Sequence, residues 1–385
     1  MKKQERAVVA GIGMTRFAEH LDRGIRSLAE EAVGETLKDA GMAPKDVEAA
    51  FFSNAAAGLL TGQEMIRGQV ALGNTRILGV PLFKHRERVR VSVICVSSRL
   101  DVSRIGHVPR GPRGGRREDD SRGQEPPVPR HRSSRRSRRV ARDSGARGQL
   151  RTGRAERGAP AKSLFMGIYA AATREYMKAS GATAATFADV AAKSHAFAAL
   201  NPRAQYREAV TREQVLASGI ISPPLTLPMC SRIGDGAAAV VMSEKAARKA
   251  RVSKPVSLRA SIVMSGRDRA EGEPSVLERV VKLAYETSGV GPSELDVIEL
   301  HDAAAPAELI AYEELGLCGR REGSVLFASG QTQLGGRHVV NPSGGVLSKR
   351  HPVGATGNRA DLRDCRAASW PGRNAPGTER PCWAD

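Results

Sequence analysis

An arginine-rich run begins at Lys84, directly behind a segment that reads as the approach to a buried strand. In "LGVPLFKHRERVRVSVICVSS" (78–98), Gly79 to Phe83 head toward a core, and Lys84, His85, Arg86, Glu87, Arg88 and Arg90 follow at once. A strand interior does not accept such charges unpaired, because each would lose its water without compensation. Residues 84–160 contain no Phe, Trp or Tyr, and they hold 22 of the 60 Lys and Arg but only 8 of the 41 Asp and Glu. A stretch of that composition cannot bury enough apolar area to offset its ordering entropy. Most of the formal charge of +19 therefore sits in one segment, and a basic surface over the whole protein is not implied.

The rest of the chain reads differently. "RAVVAGIGMTRF" (6–17) predicts a strand running into a glycine turn, "SLAEEAVGETLKDAG" (27–41) an amphipathic helix stopping at Gly41, and "DVEAAFFSNAAAG" (46–58) a second buried strand. The same order returns in "PVSLRASIVMSG" (255–266), "SVLERVVKLAYETSG" (275–289) and "LDVIELHDAAA" (295–305). Both copies share a linker style, with Gly41, Pro44 and Asp46 in one and Gly289, Pro292 and Asp296 in the other. This weak repeat predicts two related α/β halves, 1–250 and 255–357, the first interrupted by the segment 84–160 and the second followed by an aberrant tail, 358–385. Between them, 163–210 reads as mostly helical, and 231–250 as a glycine turn, an apolar strand and a short helix.

Five cysteines, at 95, 230, 318, 365 and 382, show neither metal spacing nor a paired framework, so a reduced, cytoplasmic setting and no metal are expected. No stretch approaches the length of a membrane span.

Two stretches carry candidate chemistry. In "HVVNPSGGVLSKRHPVGATG" (338–357), Gly344 and Gly345 permit close backbone approach, His351 follows on a glycine-rich turn, and Gly354 precedes a segment able to open a helix. A histidine so placed serves either as a base or as a structural hydrogen-bonding group. In "VIELHDAAAPAELIAYEELGLC" (297–318), His301 and Asp302 stand at a strand end before a helix holding Glu308, the place where α/β proteins collect sites.

Taken in order, these motifs resemble the thiolase superfamily in its sterol-carrier or lipid-transfer branch. "HDAAAPAELIAYEELGLC" resembles that branch's His-Asp strand end, "NPSGGVLSKRHPVGATG" the Gly-His-Pro block, and "SRIGDGAAAVVMSEKA" the Asp-Gly-Ala-Ala-Ala strand. "FMGIYAAATREYM" and "NPRAQYRE" resemble the loop region that receives coenzyme A, with Met166 as a cofactor contact. The resemblance covers about residues 6–83 and 162–357 and implies duplicated α/β halves in a five-layer αβαβα fold. It also implies acyl transfer through a cysteine thioester, with coenzyme A as cosubstrate and no bound cofactor. By position, His351 would take the thiol proton and His301 would donate to the thioester oxygen, with Gly344, Gly345 and Gly354 supporting the turn and the oxyanion. Glu308 is expected to pack or cap, and Cys230 to be structural. A homodimer or tetramer and a small partner protein also follow from the resemblance alone.

Four departures stand out, one being the absence of the family's final Cys-x-Gly or glycine-rich strand. Arg350 occupies the family's glycine before His-Pro, and position 303 is Ala where some relatives carry a second cysteine. The last is the missing nucleophile block, which should follow Phe83 and resemble Glu-Asn-Ala-Cys-Ala-Ser. Lys84 to Val91 can be encoded AAA CAT CGA GAA CGC GTG CGC GTC; read one base later, these bases give Asn-Ile-Glu-Asn-Ala-Cys-Ala-Ser. Synonymous codons for Asn358 to Arg373, shifted by the same single base, give Thr-Ala-Gln-Ile-Tyr-Glu-Ile-Val-Gly-Gln-Leu-Arg-Gly-Gln-Ala-Gly, which regains helical periodicity.

The expectation is that residues 84–160 and 358–385 are out-of-frame translation and that the chain as written lacks thiolase activity. The alternatives are a thiol-independent, aldolase-like or acyl-CoA-binding member and, more remotely, an arginine-rich nucleic-acid binder. Against the last, the basic segment offers no aromatic residue on which bases would stack.

Overall fold

The computed structural model describes residues 8–54, 65–77, 79–85, 95–97, 164–243, 246, 248, 256–270 and 272–356. All of these belong to one of the two units into which the chain divides. Most of the arginine-rich segment and the whole of 358–385 lie outside the described residues.

Strand β1 (Val8–Met14) is buried along its whole length, as its run of apolar residues and glycines requires. It packs under helix α1 (Ile25–Asp39), whose buried positions Leu28, Ala29, Ala32, Val33, Thr36 and Leu37 form one face at helical spacing. The approach is close because Gly11 and Gly13 lack side chains: a Cβ at either would overlap the backbone of α1 at Thr36 or Ala32. Two α1 carboxylates complete the contact, Asp39 Oδ2 accepting from the Ile12 amide at 2.9 Å and Glu35 Oε2 from the Met14 amide at 3.1 Å.

Chain order then gives β2 (Ala50–Ser53), α2 (Arg67–Leu72), β3 (Leu82–His85) and β4 (Cys95–Ser97). Later come β7 (Ala238–Met242) and β8 (Val256–Ser257). These strands form a six-stranded sheet in the order β3-β2-β4-β7-β1-β8. β2 runs parallel to β3 and β4 parallel to β7, whereas β1 is antiparallel to both β7 and β8. The expected first-half strands and helix are present, but Gly11 and Gly13 continue β1 instead of turning it, and the second strand is shorter than "DVEAAFFSNAAAG" suggested. Two further findings differ from the sequence reading. β3 continues across Lys84 and His85, and Cys95–Ser97 pairs between β2 and β7, so pieces of the basic segment do join the sheet. Backbone pairing needs no particular side chain, which is how a compositionally foreign piece can supply a strand.

The central region is helical as expected: α3 (Leu164–Ser180) and α4 (Ala184–Leu200), then α5 (Arg212–Ala217) and the hairpin β5 (Ile220–Ser222) and β6 (Leu225–Thr226). In the second half, α6 (Val276–Ser288) starts at a capping box, Ser275 Oγ accepting from the Glu278 amide at 3.1 Å, and ends at Gly289 with φ of 69°. The flanking strands are shorter than predicted. Only Val256–Ser257 of 255–266 and β9 (Val297–Ile298) of 295–305 are strand. β8 pairs with β1 of the first half, and β9 pairs in parallel with β10 (Val339–Val340). α7 (Ala305–Glu314), α8 (Gly323–Ala328) and α9 (Gly345–Lys349) complete the order. Phe187, Val190, Leu225, Met229, Leu309 and Tyr312 form the largest core, in which α4 meets α7. Among the described residues, no helix is long and apolar enough to cross a membrane, and no cluster of three or more potential metal ligands occurs.

Candidate functional site

The site is built where β9 and β10 end side by side. Asn341 follows β10 in a left-handed conformation, φ 54°, which asparagine tolerates better than most residues. Its amide donates to Ile298 O at 2.8 Å, and its side-chain Oδ1 accepts from the Leu300 amide at 2.7 Å. Two further links follow in register. The Glu299 carboxylate accepts from the Ser343 amide and hydroxyl at 3.0 and 2.9 Å, and Asp302 Oδ1 accepts from the Val346 amide at 2.6 Å. Residues 299–302 are thus stitched to 341–346 on both sides of His301.

Gly344 and Gly345 make this stitching possible. Their φ values are 93° and 62°; a Cβ on Gly344 would meet Ala198 of α4, and one on Gly345 would overlap the Asp302 carboxylate. Gly354 lies in the turn that follows His351.

The second histidine is brought in by a different segment. Residues 230–234 run between the two histidine-bearing stretches: the Ser231 amide donates to Ala303 O at 3.0 Å, and the His351 amide donates to Arg232 O at 3.0 Å. The isolated bridges Cys230–Ala304 and Ile233–His351 mark the same arrangement. The result places His301 Nε2 3.2 Å from His351 Nε2, with ring centroids 4.9 Å apart and planes at 70°.

Thr356 Oγ1 stands 2.8 Å from both Pro352 O and His351 Nδ1. In the tautomer pair that would let His351 Nε2 act as a base, His351 carries its proton on Nδ1 toward Thr356 and His301 Nε2–H donates across the contact. One imidazole can act as a base and the other as a donor once a substrate displaces their mutual contact. That combination can remove a proton beside a carbonyl while a hydrogen bond stabilises the oxygen.

Behind the pair lies a buried polar network. Glu308 is fully buried; its Oε1 bonds the Lys193 ammonium and the Tyr312 hydroxyl, and its Oε2 accepts from Asn341 Nδ2 at 3.0 Å. Lys193 also donates to Val340 O at 3.1 Å. Glu308 anchors Asn341 and hence the strand end, in keeping with the packing role read from the sequence. Lys193, Asn341 and Thr356 are not singled out by sequence; the available signal is the one lysine of the alanine-rich helix "AATFADVAAKSHAFAAL".

The described thiols do not suit nucleophilic work. Burial pushes the Cys230 thiol up to about 11, and burial with the nearby Glu313 and Glu322 carboxylates pushes Cys318 to about 11. Cys95 opens β4. Met166 lies on α3, half-buried against the main core. A shallow cleft lined by Val281, Tyr285, Pro292 and Leu315 shares no residue with the pair.

The family described as thiolase C-terminal domain-like matches residues 267–359, which span both histidines. The benzoylsuccinyl-CoA thiolase subunit BbsB of Thauera aromatica is 30% identical over 373 residues, 93% of this chain and 87% of that protein. The chain belongs to the thiolase superfamily. Sterol carrier protein 2 of Rattus norvegicus is 36% identical over 220 residues, 54% of this chain but only 40% of that longer protein. Among solved structures, an Ltp2-ChsH2(DUF35) aldolase superposes with a TM-score of 0.61 at 22% identity, covering 94% of this chain and 91% of the other. The α/β thiolase fold expected from the sequence is thus shown, and the sterol-carrier branch is among its relatives.

Proposed function

We propose that this thiolase-superfamily chain carries the acid–base half of an acyl-CoA acyltransferase and lacks the nucleophilic half. The observation behind this reading is the His301–His351 contact at 3.2 Å, assembled on a strand end and turn that would serve a thioester carbonyl. No Asn-Ala-Cys-Ala-Ser block follows Phe83 to supply the thiol. In the intact reaction, His351 Nε2 would accept the thiol proton as the cysteine sulfur takes the acyl group, and that proton would pass to the departing coenzyme A sulfur. His301 Nε2–H would donate to the oxygen as negative charge develops there. Without the thiol the first transfer has no acceptor.

The same residues retain a thiol-independent capacity. Cleaving a carbon–carbon bond beside a carbonyl needs a base for the hydroxyl proton and a donor for the enolate oxygen, roles the pair can fill. The likeness in fold to an aldolase, together with the missing cysteine block, supports this second reading. Arginine-rich nucleic-acid binding has no support from the described site.

A coupled assay separates the readings. The purified chain is offered a 3-oxoacyl-CoA with free coenzyme A and, separately, a β-hydroxyacyl-CoA, and each product is followed by chromatography. The first reading predicts no thiolysis, with acyl-CoA still shifting the imidazole resonances of His301 and His351. Thiolysis at ordinary enzyme rates would overturn it, and release of an aldehyde or ketone from the β-hydroxy compound would establish the second.

A further inference from the structure

We propose that His301 and His351 together form a binding site for one divalent d-block cation, zinc foremost, held between their Nε2 atoms. The two nitrogens stand 3.2 Å apart and the ring centroids 4.9 Å apart. The lone pair of a ligating Nε2 points along the line from the ring centre through that nitrogen. Two such lines meeting on an ion about 2.1 Å from each nitrogen, at about 100°, put the nitrogens about 3.2 Å and the centroids about 5 Å apart. A head-on hydrogen bond across the same gap would hold the centroids about 5.5 Å apart. The observed separations match the converging arrangement, in which both nitrogens aim at one point beside their contact.

The two ligands are fixed from the backbone outward. Leu300 and Asp302, on either side of His301, are bonded to Asn341 and Val346, and the His351 amide is bonded to Arg232 O at 3.0 Å. An imidazole that gives Nε2 to a metal carries its hydrogen on Nδ1, and an acceptor there steadies the ring. For His351 the atom facing Nδ1 is Thr356 Oγ1 at 2.8 Å. Both histidines are partly exposed, so an ion can reach them. Among the described residues no group of three or more potential ligands forms, so the site is an open one whose remaining positions fall to water. Imidazole suits zinc, copper and nickel, whereas calcium and magnesium want oxygen. Cysteine spacing gives no sign of this site, because its ligands are histidines 50 residues apart. An ion here takes up both Nε2 lone pairs and so excludes the acid–base role; the inference does not rest on that reading.

The test titrates ZnCl2 into the full chain by calorimetry at pH 7.5, after dialysis against a chelator and then metal-free buffer. His301→Gln, His351→Gln and the double variant are titrated alongside. Wild type is expected to bind one equivalent that each single variant weakens by more than the roughly 100-fold reached by outer-shell changes. The double variant should lose nothing more than either single one. Zinc held by cysteine thiols is common to all four proteins and drops out of the comparison. Equal zinc binding by wild type and either single variant would overturn the proposal. Should a variant fail to fold, X-ray absorption at the zinc edge of the wild-type chain with one equivalent bound must show two imidazoles at about 2.0–2.1 Å. Fewer than two there overturns it equally. No thioester is present, so a lack of zinc binding leaves the acid–base reading standing. Failure of acyl-CoA to shift the imidazole resonances would count against that reading alone.

Discussion

Replacing Glu308 by glutamine tests how strongly the buried network holds the strand end. The Lys193–Glu308 pair has side-chain exposures of 2% and 0%, so the substitution leaves an ammonium in the core facing a neutral amide. Breaking a buried pair from one side typically costs about 3–5 kcal/mol, because the remaining charge cannot recover its water. Lys193 keeps the Val340 carbonyl and lies 5.6 and 5.7 Å from the rings of Phe197 and Phe327, contacts that soften the loss without replacing a counter-ion. The lower end, about 3 kcal/mol, is therefore expected, a fall of roughly 6–12 °C in melting temperature for a domain of this size. The assay is urea unfolding followed by circular dichroism, with Glu175→Gln as a control for the exposed Lys178–Glu175 pair, which should hardly move the midpoint. Lys193→Met combined with Glu308→Leu removes both charges and should regain only part of the loss, since Tyr312 and Asn341 would then lack their acceptor. A Glu308→Gln midpoint within about 0.5 kcal/mol of wild type would refute the reasoning, since that is the scale of a solvated pair.

Two further outcomes follow from the same geometry. Gly345→Ala places a Cβ against Asp302 on a backbone with φ of 62°, and a loss of about 2–4 kcal/mol is expected in the same unfolding assay. Burial holds the His195 imidazole below its usual value of 6.5, so the unfolded chain binds its proton first as pH falls; the contribution of this group is complete above about pH 6.5 and is lost below it. Urea midpoints measured from pH 8 to pH 5 should therefore decline less in His195→Gln than in wild type, and parallel curves would contradict this.

The sequence showed most of the first half because period and punctuation agreed there. The face of α1 carried apolar residues at the right spacing, whereas Gly11 and Gly13, read as a turn, lie inside the strand where it touches that helix. Ser275 and Gly289 announced both ends of α6. The two histidines were legible as a motif, but their contact was not, since it depends on a third segment, 230–234, running between residues distant in sequence. Lys193 was illegible for a related reason: its partner Glu308 lies 115 residues away, and a lysine on an apolar helix gives no sign of where its counter-ion will come from. The strand at Cys95–Ser97 was missed because a basic composition argues against a sheet interior, while backbone pairing over three residues asks little of side chains.

The most direct measurement is the intact mass of the purified chain after incubation with an acyl-CoA, followed by peptide mapping. With His301 and His351 paired, no nucleophile block behind Phe83 and the Cys230 thiol held up at about 11, the mass should stay that of the unmodified chain. A stoichiometric acyl adduct on any cysteine, lost when His351 is replaced by glutamine, would contradict it.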